Sequence, residues 1–263
     1  MKYISIHERN RRSGLLFVLM SFCLMSFNCK EQEERPENFK VYMIGDSTMA
    51  NKTADKFPET GWGQVLSCYF NSSVTVDNRA KNGSSTKTFI NEGRWQQVTD
   101  SLSAGDYVFI QFGHNDEKNL DTLRYAAAHG LYKSNLEKFV KETRAKGAIP
   151  VLFTPIPRRA FKNGTLSDTH GDYPDVVRQL SREQEVVLID LNQLGTAYVN
   201  KLGEELSKET YLWVDPCANY PEGKQDNTHL SEKGAHRFAG LVISELQLKI
   251  PSLSRFIIKE NGE

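Results

Sequence analysis

The sequence predicts one α/β domain in which helices cover both faces of a five-stranded parallel sheet, giving three layers. Three observations support this fold class. Five short apolar runs have the length and composition of buried strands, and helical patterns alternate with them along the chain. The chain also has 263 residues of which 39% are hydrophobic, which suits a single core of ordinary size. Strands that alternate with helices are typical of a doubly wound sheet.

The strands are predicted where apolar or β-branched residues follow one another in short runs. Such runs are too short for helices and too continuous for strands with one exposed face, so they indicate strands buried on both faces. They lie at residues 40–45, 74–76, 107–110, 148–153 and 186–189.

The helices are predicted between these strands, where apolar residues recur every three or four positions. They lie at residues 61–70, 132–146, 173–182, 192–206 and 231–248. In sheets of this kind the reactive groups gather beyond the carboxyl ends of the strands. The residues that follow each strand are therefore the place to look for chemistry.

The first 28 residues have the layout of a signal peptide of the lipoprotein type. A basic segment at residues 9–12 precedes an apolar stretch at residues 15–27, which is too short to span a bilayer comfortably. The stretch ends at Cys29, which resembles the acylated cysteine of bacterial lipoproteins.

Residues 29–39 are polar, and we interpret them as a tether that leads into a catalytic domain at residues 40–263. The acidic part of the tether resembles the export tag of lipoproteins displayed by some Gram-negative bacteria, although a solvated linker would look the same. We expect an extracytoplasmic lipoprotein of a Gram-negative bacterium, in the periplasm, the outer membrane or at the cell surface. Its contact with the membrane would be the lipid anchor on Cys29.

The balance of charge argues against a nucleic-acid partner, because Lys plus Arg and Asp plus Glu both total 33 and no basic patch stands out. Only Cys68 and Cys217 lie in the predicted domain, where they could pair or remain buried thiols. Neither an HxxxH nor a CxxC pair occurs, so we predict no metal site.

Ser47 follows the first predicted strand in the run Gly45-Asp46-Ser47-Thr48. The glycine permits a sharp turn, and a serine at a strand end is well placed to act as a nucleophile. Capping of a following helix by Asp46 or Ser47 is the alternative.

Two candidate oxyanion donors follow the next strands. Gly83 could present its backbone N–H to an oxyanion, and Asn115 could present its side-chain NH₂. A plain turn glycine and a helix cap are the competing interpretations. His114 and Asp116 alternate with Asn115 in direction, so we assign them supporting roles.

Asp226 and His229 stand three residues apart just before the last predicted helix, close enough for a turn to join their side chains. Such an acid orients an imidazole, which can then take a proton from a serine near neutral pH. A capping aspartate and a surface histidine are the alternative. His170, with two aspartates nearby, and Trp213 are weaker candidates for substrate contact.

The order serine, glycine, asparagine and aspartate-histidine at successive strand ends resembles the SGNH or GDSL-type hydrolase family. The resemblance covers residues 40 to 248 and implies a flavodoxin-like sheet. It assigns the nucleophile to Ser47, the base to His229 and the orienting acid to Asp226. The Ser47 N–H, Gly83 and Asn115 would form the oxyanion hole, and no cofactor would be needed.

Several stretches are more narrowly similar to bacterial rhamnogalacturonan acetylesterases, namely residues 61–64, 91–95, 143–159 and 168–174. The chain departs from that subgroup at Ser84, where arginine is usual. The resemblance implies a serine esterase that removes acetyl groups from rhamnogalacturonan or a related pectin. Acetyl xylan, a general short-chain ester or lipid, and a non-catalytic surface glycan-binding role remain alternatives.

Overall fold

The computed structural model describes residues 38–258, so the predicted signal peptide, Cys29 and nearly all of the tether lie outside the described residues. The strands, in chain order β1 to β9, are Phe39–Gly45, Val74–Asn78, Tyr107–Gln111, Ile149–Phe153, Phe161–Lys162, Thr165–Leu166, Val187–Ile189, Tyr211–Val214 and Lys224–Leu230. The helices α1 to α6 are Thr86–Asn91, Arg94–Ser101, Lys133–Ala145, Tyr173–Glu183, Leu191–Leu206 and Glu232–Lys249.

Five of these strands form one parallel sheet in the order β2-β1-β3-β4-β7. The chain moves from β1 to one side for β2 and then to the other side for β3, so the direction of winding reverses at β1. This strand order is that of flavodoxin-like sheets, in which ligands bind in the crevice at the reversal point. The predicted α/β fold class is confirmed.

Side chains of the sheet alternate between two hydrophobic cores, which gives the domain its three layers. Val41 and Met43 of β1 face one core, while Tyr42 and Ile44 face the other. The first core is closed by α5 and α6, and the second by α1 to α4. A sheet buried on both faces explains why the strands appear in the sequence as continuous apolar runs.

The helix predicted over residues 61–70 is wrong, because this segment forms turns and a short 3₁₀ helix at Leu66–Tyr69. Gly61 explains the difference, since a Cβ placed there would lie 2.1 Å from the carbonyl oxygen of Ala50. The backbone must therefore pass so close to the β1 turn that a regular helix does not fit. The Trp62 N–H also bonds to the Thr48 carbonyl over 3.0 Å rather than within a helix.

The hairpin of β8 and β9 is a separate two-stranded antiparallel sheet that the sequence analysis did not predict. Its register shifts between Tyr211, which pairs with Leu230, and Leu212, which pairs with Asp226. Residues 227–229 of β9 therefore form a bulge that stands out of the ladder.

Cys68 and Cys217 are free and exposed, so they neither pair nor lie buried. Between residues 38 and 258, no helix combines the length and apolar character needed to cross a membrane.

Candidate active site

Ser47 lies immediately beyond the carboxyl end of β1, at the edge of the sheet where the winding reverses. Gly45 ends the strand, and a Cβ there would lie 2.6 Å from the carbonyl oxygen of Gln111. The absence of a side chain thus allows β1 and β3 to stay close at the turn. Ser47 is only 8% exposed.

His229 and Asp226 form a hydrogen-bonded chain with Ser47. The Ser47 hydroxyl Oγ and His229 Nε2 are 2.9 Å apart, and His229 Nδ1 is 2.8 Å from Asp226 Oδ2. The backbone N–H groups of Thr228 and His229 donate to Asp226 Oδ1 over 2.7 and 3.0 Å. With Nδ1–H given to the carboxylate, Nε2 is left to accept from the serine.

The pKa of Asp226 reflects these contacts. Burial would raise it, but the hydrogen bonds from His229 and Thr228 and the nearby charge of His229 outweigh burial and hold the pKa well below its usual range. The carboxylate is therefore ionised at neutral pH and can hold the imidazole in one tautomer.

The sequence analysis expected a turn to bring Asp226 and His229 together, and in the structure the bulge in β9 does so. It brings the Asp226 carboxylate and the His229 ring onto the same side, although regular strand residues three apart point to opposite faces. Asn227, at its tip, is held by two donors: its Oδ1 accepts from Arg159 Nη1, outside the hairpin, over 3.1 Å and from Trp213 Nε1, on β8, over 2.9 Å.

Arg159 lies behind the acid and the base and supports the bulge through Asn227, a role that was not predicted from the sequence. It is 5% exposed, and its guanidinium donates to the Glu204 carbonyl and the Ser207 hydroxyl as well as to Asn227. Its backbone N–H also donates to the Asn227 carbonyl over 2.8 Å. Only its position after β4 in the sequence hinted at a role near the site.

The two candidate oxyanion donors beyond the serine itself lie in the loops after β2 and β3. Gly83 has a left-handed φ of +76°, which favours glycine. The buried Asn115 side chain donates from Nδ2 to the Ser84 carbonyl over 2.9 Å, which ties the β3 loop to the residue after Gly83. An amide NH₂ carries two N–H donors, so this bond uses one of them.

A buried polar network supports the turn that carries Ser47. Asp46 accepts from Thr48 N over 2.9 Å, from Thr48 Oγ1 over 2.8 Å and from His114 Nδ1 over 3.2 Å. Thr48 Oγ1 also accepts from Gln111 Nε2, and Trp62 Nε1 donates to Gln111 Oε1. The network links the nucleophile turn to β3.

Burial and hydrogen bonds shift the pKa values of the titratable groups in this network. Burial would raise the pKa of Asp46, but His114 and Thr48 outweigh it and lower the value to about 2. Burial lowers the pKa of His114, so the neutral ring donates its Nδ1–H to the carboxylate. Asp116, which accepts from Thr86 N and Oγ1 over 2.9 and 2.5 Å, has its pKa raised by burial.

His170 is not placed to contact a substrate through its ring nitrogens, which corrects the sequence-based expectation. Its side chain is buried, Nδ1 lies 2.8 Å from Glu117 Oε2, and Nε2 lies 2.8 Å from the Ile156 carbonyl. The ring also packs edge-on against His114. The structure therefore places His170 beneath the site as a support.

Trp213 lies on β8 beside the bulge and is partly exposed. Arg159 and Lys208 each place a cationic group 4.8 Å from its ring centre. These contacts and the bond to Asn227 hold the Trp213 ring in place beside the bulge. Trp62 and Trp95 are buried.

Residues 38–258 contain no group of three His, Cys, Asp or Glu side chains that could hold a metal ion. The chemistry open to the site is that of a serine whose proton can pass to a histidine oriented by a carboxylate, next to backbone and amide N–H donors.

Comparisons with known proteins identify the family of the chain. Residues 43–237 match the model of the GDSL-like Lipase/Acylhydrolase family. The rhamnogalacturonan acetylesterase RhgT of Bacillus subtilis is 39% identical, over 85% of this chain and 97% of the relative. The probable rhamnogalacturonan acetylesterase YesY of the same organism is 37% identical, over 84% of this chain and 98% of the relative.

Two solved structures share the fold. The protein YxiM of Bacillus subtilis superposes with a TM-score of 0.70 at 28% identity, covering 83% of this chain and 58% of that longer one. An acetylxylan esterase from Geobacillus stearothermophilus superposes with a TM-score of 0.56 at 19% identity, covering 79% of this chain and 94% of that one. At that identity the second likeness concerns the fold alone.

Proposed function

Because the chain belongs to the GDSL-like lipase/acylhydrolase family, we propose that its Ser47, His229 and Asp226 hydrolyse O-acetyl esters of rhamnogalacturonan. The protein is a carboxylic ester hydrolase, and its relatives support a carbohydrate acetylesterase. The observation that carries the assignment of residues is the continuous chain of hydrogen bonds from Asp226 through His229 to the Ser47 hydroxyl. The substrate is inferred from the two relatives that match nearly along their whole length.

In the first step, Ser47 Oγ attacks the acetyl carbonyl carbon while His229 Nε2 takes the hydroxyl proton. The carbonyl oxygen becomes an oxyanion, and the N–H groups of Ser47 and Gly83 and the second N–H of Asn115 Nδ2 stabilise it. When the bond to the sugar oxygen breaks, His229 returns the proton to that oxygen. The products are a free sugar hydroxyl and an acetylated Ser47.

In the second step, a water molecule gives a proton to His229 and attacks the acetyl group on Ser47. The oxyanion forms again at the same donors, and the bond to Ser47 Oγ breaks as His229 returns the proton to it. Acetate leaves, and the serine is restored. Asp226 remains ionised throughout and stabilises the imidazolium in each half of the cycle.

The test is the release of acetate from acetylated rhamnogalacturonan by the purified domain. We expect release by the unaltered protein and its loss in Ser47→Ala. Ser67→Ala is the matched control, since Ser67 is exposed and lies in the 3₁₀ turn away from the strand ends. Full turnover by Ser47→Ala would refute the nucleophile, and a preference for acetyl xylan or long acyl chains would refute the substrate.

The proposal extends to location: a lipoprotein whose catalytic domain, residues 40–263, is held outside the cytoplasm by a lipid on Cys29. The basic and apolar N-terminal pattern supports it, and so does a 26% identical relative named as the uncharacterized lipoprotein YqeF of Bacillus subtilis. Labelling with a palmitate analogue in a bacterial host should mark the protein. Cys29→Ser should abolish the label, whereas Cys23→Ser, in the apolar stretch, should not.

A further inference from the structure

Two cationic side chains lie beside the two candidate oxyanion donors. Lys118 Nζ donates to Asn115 Oδ1 over 2.9 Å, at the other end of the amide from the NH₂ group. Arg124 Nη1 lies 3.7 Å from the point that a Cβ on Gly83 would occupy. We call Lys118 and Arg124 the rim cations. They bring positive charge to the place where the acyl group of a substrate would sit.

Asp121 orients the Arg124 side chain but binds only some of its hydrogen-bond donors. Asp121 Oδ2 accepts from Arg124 Nε over 2.6 Å, and Asp121 Oδ1 accepts from the Arg124 backbone N–H over 3.2 Å. Within residues 38–258, Nη1 and Nη2 donate no hydrogen bond to the protein, and the side chain is 37% exposed. The guanidinium is thus held at one edge, while its two terminal NH₂ groups remain open.

The rim cations lie near one another, because Lys118 contacts Asn115, Asn115 bonds to the Ser84 carbonyl, and Arg124 lies beside Gly83. Burial lowers the pKa of Lys118, and the charges of Arg124 and Arg158 lower it further. Arg158 already forms an ion pair with Glu117 and contacts Thr169, whereas Arg124 keeps its terminal groups open. An anion bound between the rim cations would relieve the repulsion between their charges.

We propose that the rim cations form a subsite for the carboxylate of a uronate unit in the acetylated polysaccharide. A planar guanidinium with two open NH₂ groups matches a carboxylate in a bidentate arrangement, and a lysine adds a second charge. Because Arg124 lies against Gly83, the bound carboxylate is close to the acetyl carbonyl. This inference rests on the proposed function, since rhamnogalacturonan carries a carboxylate on every galacturonate unit, whereas a xylose chain carries none.

The test compares acetate release from two substrates: an acetylated rhamnose-galacturonate oligosaccharide and the same compound with its carboxylates methyl-esterified, which removes the charge and adds a small methyl group. For the unaltered enzyme we expect kcat/KM to be about five- to tenfold higher on the charged form, and the preference to shrink as salt is added. Arg124→Gln should bring the ratio close to one, and Arg124→Lys should keep part of it. A ratio near one in the unaltered enzyme, or the full ratio in Arg124→Gln, would overturn the subsite.

A matched control and a binding measurement separate this inference from the proposed function. Arg182 is exposed in the last turn of α4, at the opposite edge of the sheet, so Arg182→Gln should keep the charge preference. If no carbohydrate substrate releases acetate, the proposed function fails, and calorimetry with the deacetylated oligosaccharide decides the subsite. Weaker binding by Arg124→Gln than by Arg182→Gln would support it, and equal binding would overturn it.

Discussion

Asp226 binds His229 twice, through Oδ2 to the ring Nδ1 at 2.8 Å and through Oδ1 to the backbone N–H at 3.0 Å. The same carboxylate thus fixes both the tautomer of the ring and the shape of the bulge that carries it. An amide can imitate the backbone contact, but it can present an N–H to Nδ1 and so favour the wrong tautomer.

We therefore expect Asp226→Asn to lower kcat/KM on an aryl acetate by roughly 10³- to 10⁴-fold near neutral pH while the fold persists. Circular dichroism and steady-state kinetics on the purified variant test this. Asp215→Asn, an exposed change in the loop that follows β8, should have little effect on either measurement. Activity of Asp226→Asn within tenfold of the unaltered enzyme would contradict the role of Asp226.

Acid should destabilise the domain by protonating Asp46 and His114, the hydrogen-bonded pair beneath the turn that carries Ser47. The pKa of Asp46 is lowered to about 2 from an ordinary 3.8, so its stabilising contribution is present above pH 3.8 and is lost as the pH falls toward 2. The pKa of buried His114 is also lowered, so its contribution begins to fall below its ordinary value of 6.5.

Urea unfolding at a series of pH values measures both effects. The shift at Asp46 corresponds to roughly 2 kcal/mol of unfolding free energy between pH 4 and pH 2. In Asp46→Asn, that part of the pH dependence should disappear, whatever the variant's stability at neutral pH. Asp226 contributes to the pH dependence below 4 in both proteins, so a dependence that is as steep in Asp46→Asn as in the unaltered protein would refute this attribution.

Removing the acceptor at the tip of the bulge should destabilise the hairpin. Asn227→Ala removes the acceptor of Arg159 Nη1 and of Trp213 Nε1, although Arg159 keeps its bonds to Glu204 and Ser207, and an unmet buried donor costs about 1–3 kcal/mol. We expect a loss of that size in urea unfolding, together with lower kcat because Asp226 and His229 flank the change. Asn119→Ala, at an exposed position, is the control. Equal stability of the two variants would contradict a stabilising role for the contacts of Asn227 with Arg159 and Trp213.

Two glycine substitutions should act in opposite directions. Gly61→Ala drives a methyl group into the Ala50 carbonyl, so we expect it to lower the unfolding free energy by about 3 kcal/mol or more, or to prevent folding. Gly240, in α6, has nothing within 4 Å of the same point, and Gly240→Ala should stabilise by about 0.5–1 kcal/mol. Thermal unfolding of the pair tests the geometry, and a mild effect at Gly61 would contradict it.

The main sheet could be predicted because its signal is local. The runs around Val108 and Leu152 are buried on both faces, so nothing but apolar residues fits them, and the strand ends then locate Ser47 and Asn115 beyond the same edge. The hairpin could not be predicted in the same way. The strand Lys224–Leu230 is almost entirely polar and has neither the continuous nor the alternating apolar pattern.

The remaining misses depend on contacts between distant segments. The helix expected over residues 61–70 is prevented by the close approach of Gly61 to Ala50, which no local pattern reveals. Arg159 looks like a surface residue, yet it is buried and its guanidinium donates to Glu204, Ser207 and Asn227, which lie far from it in sequence. His170 has aspartates beside it in sequence, but its ring bonds to Glu117, 53 positions away.

The bulge at residues 227–229 positions Asp226 and His229 on a small sheet that is separate from the parallel sheet. The strand pairs on either side of it, Leu230 with Tyr211 and Asp226 with Leu212, hold whatever residues loop out between them. The parallel sheet that carries the nucleophile takes no part in this pairing. A change in this one short segment therefore acts on the positions of the acid and the base, while the serine and its oxyanion donors are held by other parts of the fold.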